Sequence, residues 1–144
     1  MAAMNPVPSS ADRPRLVLRG AAVLETLCAD AAVVLDGGVV TYAGPYSGLT
    51  PAPEDDVLEL AEGQVVIPGL VDLHCHGAYG VDFSRADASS IREAVSGLHR
   101  AGSTTVMASL VTDEPEVLLR QVALLAGLAE EGLVAGIHLE GPFL

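Results

Sequence analysis

The run Val66-Ile67-Pro68-Gly69-Leu70-Val71-Asp72-Leu73-His74-Cys75-His76-Gly77 decides how the whole sequence is read. Val65, Val66 and Ile67, followed by Leu70 to His74, make a near-continuous apolar strand with Pro68-Gly69 inside it. Such a run predicts burial on both faces, as in a parallel sheet. The Pro-Gly pair predicts a bend or an interrupted ladder. Alternation puts His74 and His76 on one face, Cys75 on the other, and Asp72 one layer deeper on the histidine face. Two imidazoles so spaced at a strand end can hold one divalent metal, and Asp72 can order a histidine or line the site. Gly77 lets the chain turn sharply there. The same short pattern also suits two unrelated histidines in a strand-to-loop turn.

Downstream of Gln64 the pattern alternates strand and helix. Ser90 and Glu93 have capping-box spacing. Ile91, Ala94, Val95, Leu98 and Ala101 repeat at helical period until Gly102. Thr104 to Val111 is a second buried strand. Asp113 and Glu116 give another capping signature, with Pro115 tolerated in the first turn. Leu118, Val122, Leu125 and Leu128 or Ala129 form the buried stripe of that helix, and Gly132 ends it. Val134 to Leu139 is the third strand. The order is β-α-β-α-β, for which right-handed crossovers are expected.

The third strand runs into Gly136-Ile137-His138-Leu139-Glu140-Gly141-Pro142. A carboxylate at the end of a buried parallel strand needs a partner, because burying it alone is costly. A metal is one partner, and a solvated loop is the alternative. His138 shares the face of Glu140 and reads as a packed or supporting ring rather than a ligand. Both clusters lie at carboxyl ends of strands, where parallel α/β folds place their active sites. His74, His76 and Glu140 are therefore the candidate metal ligands. Imidazole nitrogen with carboxylate oxygen suits zinc, with iron or manganese as alternatives. A bound ion lowers the pKa of water, which points to metal-assisted hydrolysis.

Upstream, Leu16 to Leu18, Ala31 to Leu35, Val39 to Ala43 and Val57 to Leu60 are short strand signals, with Asp36-Gly37-Gly38 as a hairpin turn. They predict a small antiparallel sheet or sandwich. The cluster Glu54, Asp55, Asp56 reads as a solvated loop. The expected organisation is a loose leader over 1–14, a sheet domain over 15–63, and a strand-helix domain over 64–144.

Composition narrows the function classes. The 144 residues hold 7 basic and 19 acidic side chains, a net charge of −12. That balance argues against nucleic-acid binding and against a basic membrane-surface protein. Half the residues are apolar, enough for a real core. All seven basic residues are arginine, which excludes lysine chemistry. Two cysteines, Cys28 and Cys75, make no disulfide framework. No signal peptide or membrane span is expected, so the reading is a cytoplasmic protein. His99 reads as a helix-end histidine. Arg85 and Arg100 are anion-binding candidates by charge alone, and nothing else in the sequence favours either. No G-x-S-x-G, P-loop or dinucleotide glycine pattern occurs.

The Val66–Gly77 run resembles the first barrel strand of the amidohydrolase superfamily. Gly77-Ala78-Tyr79-Gly80-Val81-Asp82-Phe83 and His138-Leu139-Glu140-Gly141-Pro142-Phe143 are similar to the N-acetylglucosamine-6-phosphate deacetylases within it. The resemblance implies a (β/α)8 TIM barrel, here incomplete with its first three strands, beside part of a small β-sandwich. It implies Glu140 as the main metal ligand, His74 and His76 beside it, and one or two ions. It also implies a homodimer and hydrolysis of the acetamide of N-acetylglucosamine 6-phosphate. The acid/base aspartate is expected beyond Leu144. A barrel of this type takes about 250 residues, so the chain is expected to be an N-terminal fragment, inactive alone. The alternatives are another amidohydrolase, dihydroorotase-like or dipeptidase-like, or a non-catalytic assembly or binding module.

Overall fold

A computed structural model describes residues 14–141. The expected leader, apart from Pro14, lies outside the described residues, as do Pro142, Phe143 and Leu144. The fold is mixed α/β, in two compact units that divide between Pro68 and Gly69.

The first unit is a sheet of β1 (Leu16–Val23), β2 (Leu27–Asp36), β3 (Val39–Pro45), β4 (Asp56–Glu59) and β5 (Val65–Val66). Gly37 and Gly38 turn β2 into β3 with φ of 58° and 85°, the left-handed pair that a two-residue hairpin requires. The order is β3-β2-β1-β4, with β5 also paired to β1. β1–β2 and β2–β3 are antiparallel, but β4 and β5 run parallel to β1. The sheet is therefore mixed rather than antiparallel, because the chain leaves β3 and returns along the free edge of β1. Val17, Ala32 and Val34 form its core, with Tyr42, Tyr46 and Leu49 packed against them.

One member of the acidic cluster is not solvated. The Asp55 side chain has no exposed surface and accepts Arg15 Nε at 2.8 Å, Arg15 Nη2 at 2.7 Å and the Ala52 N–H at 2.7 Å. Register explains it. Leu16 pairs with Asp56 in parallel, so the preceding residues Arg15 and Asp55 meet at the mouth of the β1–β4 ladder. Glu54 and Asp56 stay exposed.

The second unit holds β6 (Leu70–Cys75), a small hairpin of β7 (Gly77–Ala78) and β8 (Val81–Asp82), α1 (Ala88–Arg100), β9 (Ser103–Leu110), α2 (Pro115–Glu130) and β10 (Gly136–Leu139). β6, β9 and β10 form a parallel sheet in the order β10-β9-β6. The apolar run read as one strand is two. Val65–Val66 pairs in the first unit, Pro68-Gly69 interrupts the ladder, and β6 starts the second sheet. Gly69 is needed for close approach, since a Cβ there would sit 1.9 Å from Thr104 Oγ1.

Burial on both faces holds for β9, where Val106, Ala108, Ser109 and Leu110 are all buried. It fails for β6. Leu70, Val71 and Leu73 are 53%, 58% and 69% exposed, because β6 is an edge strand among the described residues. The main core lies between sheet and helices, with Phe83, Ile91, Val95, Val106, Leu110, Leu125 and Leu128 at its centre.

Both helix starts differ from the capping signatures. Asp87 caps α1, its carboxylate accepting the Ser90 N–H at 2.8 Å, so Ser90 is a capped donor and the Ser90–Glu93 box does not form. A carboxylate three residues upstream is the better acceptor at the positive helix end. α2 starts after Glu114 without a side-chain cap. Asp113 instead accepts the Glu114 N–H at 2.8 Å and pairs with Arg85 at 2.7 Å. The buried stripes fall as expected on Ile91, Ala94 and Val95 in α1 and on Leu118, Leu125 and Leu128 in α2. Gln121 joins the α2 stripe, its amide donating to the carbonyls of Phe83 at 2.7 Å and Ala86 at 2.9 Å.

Two predictions follow from these anchors. Arg15 and the Ala52 N–H hold the Asp55 carboxyl below its usual range. A depressed carboxylate stabilises the fold above its unfolded pKa, about 4, and that contribution is lost as pH falls through the folded value. Acid unfolding followed by circular dichroism is expected to show a weaker pH dependence below pH 4 in Asp55→Asn. Gln121→Leu leaves two carbonyls without donors and is expected to cost about 1–3 kcal/mol in denaturant unfolding.

Candidate metal centre

β6 does not run straight into its histidines. Asp72 pairs with Val106 and Cys75 with Ala108, so β6 carries one extra residue at Leu73-His74. Bulges of this kind re-aim side chains at strand ends. Asp72 Oδ1 accepts the His74 N–H at 3.1 Å. Asp72 thus supports the bulged backbone rather than a histidine ring. Gly77 follows at φ 144°, and a Cβ there would lie 1.9 Å from the Val81 carbonyl oxygen. The chain then folds over through Tyr79-Gly80, both at positive φ, and the Phe83 N–H bonds the His76 carbonyl at 2.8 Å. That hairpin was not legible beforehand, since a tyrosine at φ 53° is not a turn signal.

On the other side of β9, Glu140 leaves β10 with its N–H on the Leu110 carbonyl at 3.1 Å. The three expected ligands meet. Glu140 Oε1 lies 2.7 Å from His74 Nε2 and 3.0 Å from His76 Nε2, and the two nitrogens are 2.8 Å apart. His74, His76 and Glu140 are the group that could hold a metal among the described residues. Their side chains are 55%, 38% and 27% exposed, so the atoms converge at an open strand end that solutes can reach.

Hydrogen bonding alone does not satisfy this triangle. An ionised carboxylate only accepts. If each ring turns an N–H toward Oε1, the two N–H groups oppose each other across 2.8 Å. If one ring turns a lone pair to the other, that lone pair also faces the carboxylate. One of the three contacts is always between like partners. A cation shared by three lone pairs removes the conflict, and two nitrogens with one oxygen is a donor set that zinc takes. The site fits a divalent ion.

Other candidates are placed differently. The His138 ring stands beside His74, centroids 5.1 Å apart, with Nδ1 3.2 Å from Ser109 Oγ. Cys75 points into the core, where burial pushes its thiol up, so it stays protonated. His99 lies in the last turn of α1 with Nε2 buried and unpartnered among the described residues. Arg85 is committed to Asp113. A hollow of about 380 Å³ lies beside His76, lined also by Ala78, Asp82 and Val111. Residue reading missed Gln121 and Ser109. Their only signal was a polar side chain on an otherwise apolar stripe or strand.

No protein-family model matches the chain. Curated relatives do. The Rattus norvegicus N-acetylglucosamine-6-phosphate deacetylase is 38% identical over 88 residues, 57% of this chain and 22% of that protein. The crystal structure of the Mycobacterium smegmatis deacetylase is 40% identical and superposes with a TM-score of 0.70 over 92% of this chain and 36% of the other.

The chain is similar to N-acetylglucosamine-6-phosphate deacetylases.

It spans about a fifth to a quarter of the length of the curated deacetylases it matches. A variant of the M. smegmatis deacetylase has been solved in complex with N-acetyl-D-glucosamine-6-phosphate. An imidazolonepropionase from Cupriavidus necator is also 35% identical over 112 residues, 74% of this chain and 26% of that protein. No helix among the described residues is long and apolar enough to cross a membrane.

Zinc at a hundredfold excess over its dissociation constant is expected to stabilise the protein by about 2.7 kcal/mol. Thermal unfolding with and without the ion checks this, and His76→Ala is expected to lose the shift.

Proposed function

We propose that the protein carrying this sequence hydrolyses the acetamide of N-acetylglucosamine 6-phosphate to glucosamine 6-phosphate and acetate. His74, His76 and Glu140 hold one or two divalent ions, zinc before iron or manganese. The observation that carries the reading is the meeting of His74 Nε2, His76 Nε2 and Glu140 Oε1 at two strand ends. The chain that makes this triangle is 40% identical to a deacetylase over most of its length. The reading extends to architecture. β6, β9 and β10 are the first three strands of a (β/α)8 barrel, the first unit is part of a β-sandwich, and the whole protein works as a cytoplasmic homodimer.

A divalent ion in the triangle supplies Lewis acidity and an acidified water. Glu140 contributes the one negative charge among the three ligands and faces both rings with a single oxygen. The bulge held by Asp72 aims His74, and the Phe83 N–H fixes the peptide of His76. The hollow beside His76 gives the acetamide room next to one of the three ligands. The proton for the leaving amine is assigned to an aspartate outside residues 1–144.

The imidazolonepropionase relative favours a second reading, the activity of that enzyme at the same site. Acetate release from N-acetylglucosamine 6-phosphate by the intact protein decides for the first, and turnover of imidazolonepropionate alone decides for the second. In the intact protein Glu140→Ala is expected to abolish metal binding and turnover. Normal metal stoichiometry in that variant would sink the ligand assignment. Residues 1–144 expressed alone are expected to be inactive and to self-associate through exposed Val71 and Leu73, measured by acetate release and light scattering.

A further inference from the structure

The mechanism above makes no use of Ser109, a fully buried polar side chain. Ser109 sits on β9, the central strand, with no exposed surface. It is in register opposite His138 on β10. Its Oγ meets the His138 ring at Nδ1, 3.2 Å away. That ring stands 5.1 Å from the His74 ring, tilted by 60°. His74 in turn stands 4.8 Å from His76 and 2.7 Å from Glu140. A continuous line of contacts therefore runs from the middle of the sheet to the metal centre.

We propose that Ser109 is a positioning residue for the His74, His76 and Glu140 centre, acting through the ring of His138. An imidazole can flip about its last torsion and exchange a nitrogen for a carbon at nearly equal volume. The Ser109 hydroxyl breaks that degeneracy, because only one orientation presents Nδ1 to it. The fixed ring then limits where His74 can stand. His74 needs this limit more than its partners do, since it lies on a bulge and has the most exposed side chain of the three. The proposal rests on the metal reading of the site.

The test is zinc affinity, measured on the intact protein by competition with a chromophoric chelator. Metal-free thermal unfolding is followed in parallel. Ser109→Ala is expected to weaken zinc binding about 10-fold, as losing a support behind a ligand does. Ser109→Thr, which keeps the hydroxyl, is expected to bind within about 3-fold of the unaltered protein. Ser109→Ala in a His138→Phe background is expected to cause no further loss, since the two changes cut one line of contacts. A purely structural role would lower the unfolding midpoint and leave the affinity of the folded protein unchanged, and that result overturns the proposal. If Ser109→Ala does not fold, His138→Phe alone carries the same expectation, and unchanged affinity in it overturns the proposal too. Should the unaltered protein take up no zinc, the metal reading falls and the positioning role with it. Zinc uptake that is indifferent to Ser109 and His138 leaves the metal reading standing and removes only this proposal.

Discussion

Three atoms with converging lone pairs cannot satisfy one another, and the second unit is arranged to bring them together all the same. His74 Nε2, His76 Nε2 and Glu140 Oε1 come from β6 and from the end of β10, which do not touch in the sheet. β9 lies between them. The centre exists because both outer strands are paired in parallel with the middle one, so that their carboxyl ends reach the same side of it. A parallel arrangement is required. Only parallel strands deliver their carboxyl ends, and the residues just past them, to a common side.

The surrounding structure holds those strand ends still. The bulge in β6 frees one N–H, and Asp72 accepts it. Gly77 and Gly80 let the chain double back at once, which brings Phe83 under His76. Gln121 reaches out of α2 to bond the carbonyls of Phe83 and Ala86. The Arg85–Asp113 pair links the loops that follow β8 and β9. Gly141 has no side chain where a Cβ would meet Thr112 Oγ1 at 2.2 Å, so its backbone can pass close to the loop after β9.

Much of this was legible in the order of residues, for simple reasons. The β-α-β-α-β order, the helix stripes and the Asp36-Gly37-Gly38 turn follow from periodicity and from backbone preference, both of which are local. The three ligand candidates were legible because strand alternation puts His74 and His76 on one face and Glu140 at the end of another strand. What was misread depended on competition between neighbours. Ser90 was outbid as a cap by Asp87 three residues earlier. Asp55 looked like part of a solvated run until strand pairing set Arg15 beside it. The single apolar run became two strands because its halves pair with different partners.

The sequence alone indicated the β-α-β-α-β order, the two helix stripes and the candidate ligands His74, His76 and Glu140 at strand ends, since these rest on local periodicity and spacing. Tertiary structure decided the rest. It set the mixed direction of the first sheet, the bulge that aims His74, the roles of Asp72, Gln121 and Ser109, and the closing of the Nε2–Nε2–Oε1 triangle to 2.7–3.0 Å. Each of these depends on distances between residues far apart in the chain. Register and packing fix those distances, and no local pattern encodes them.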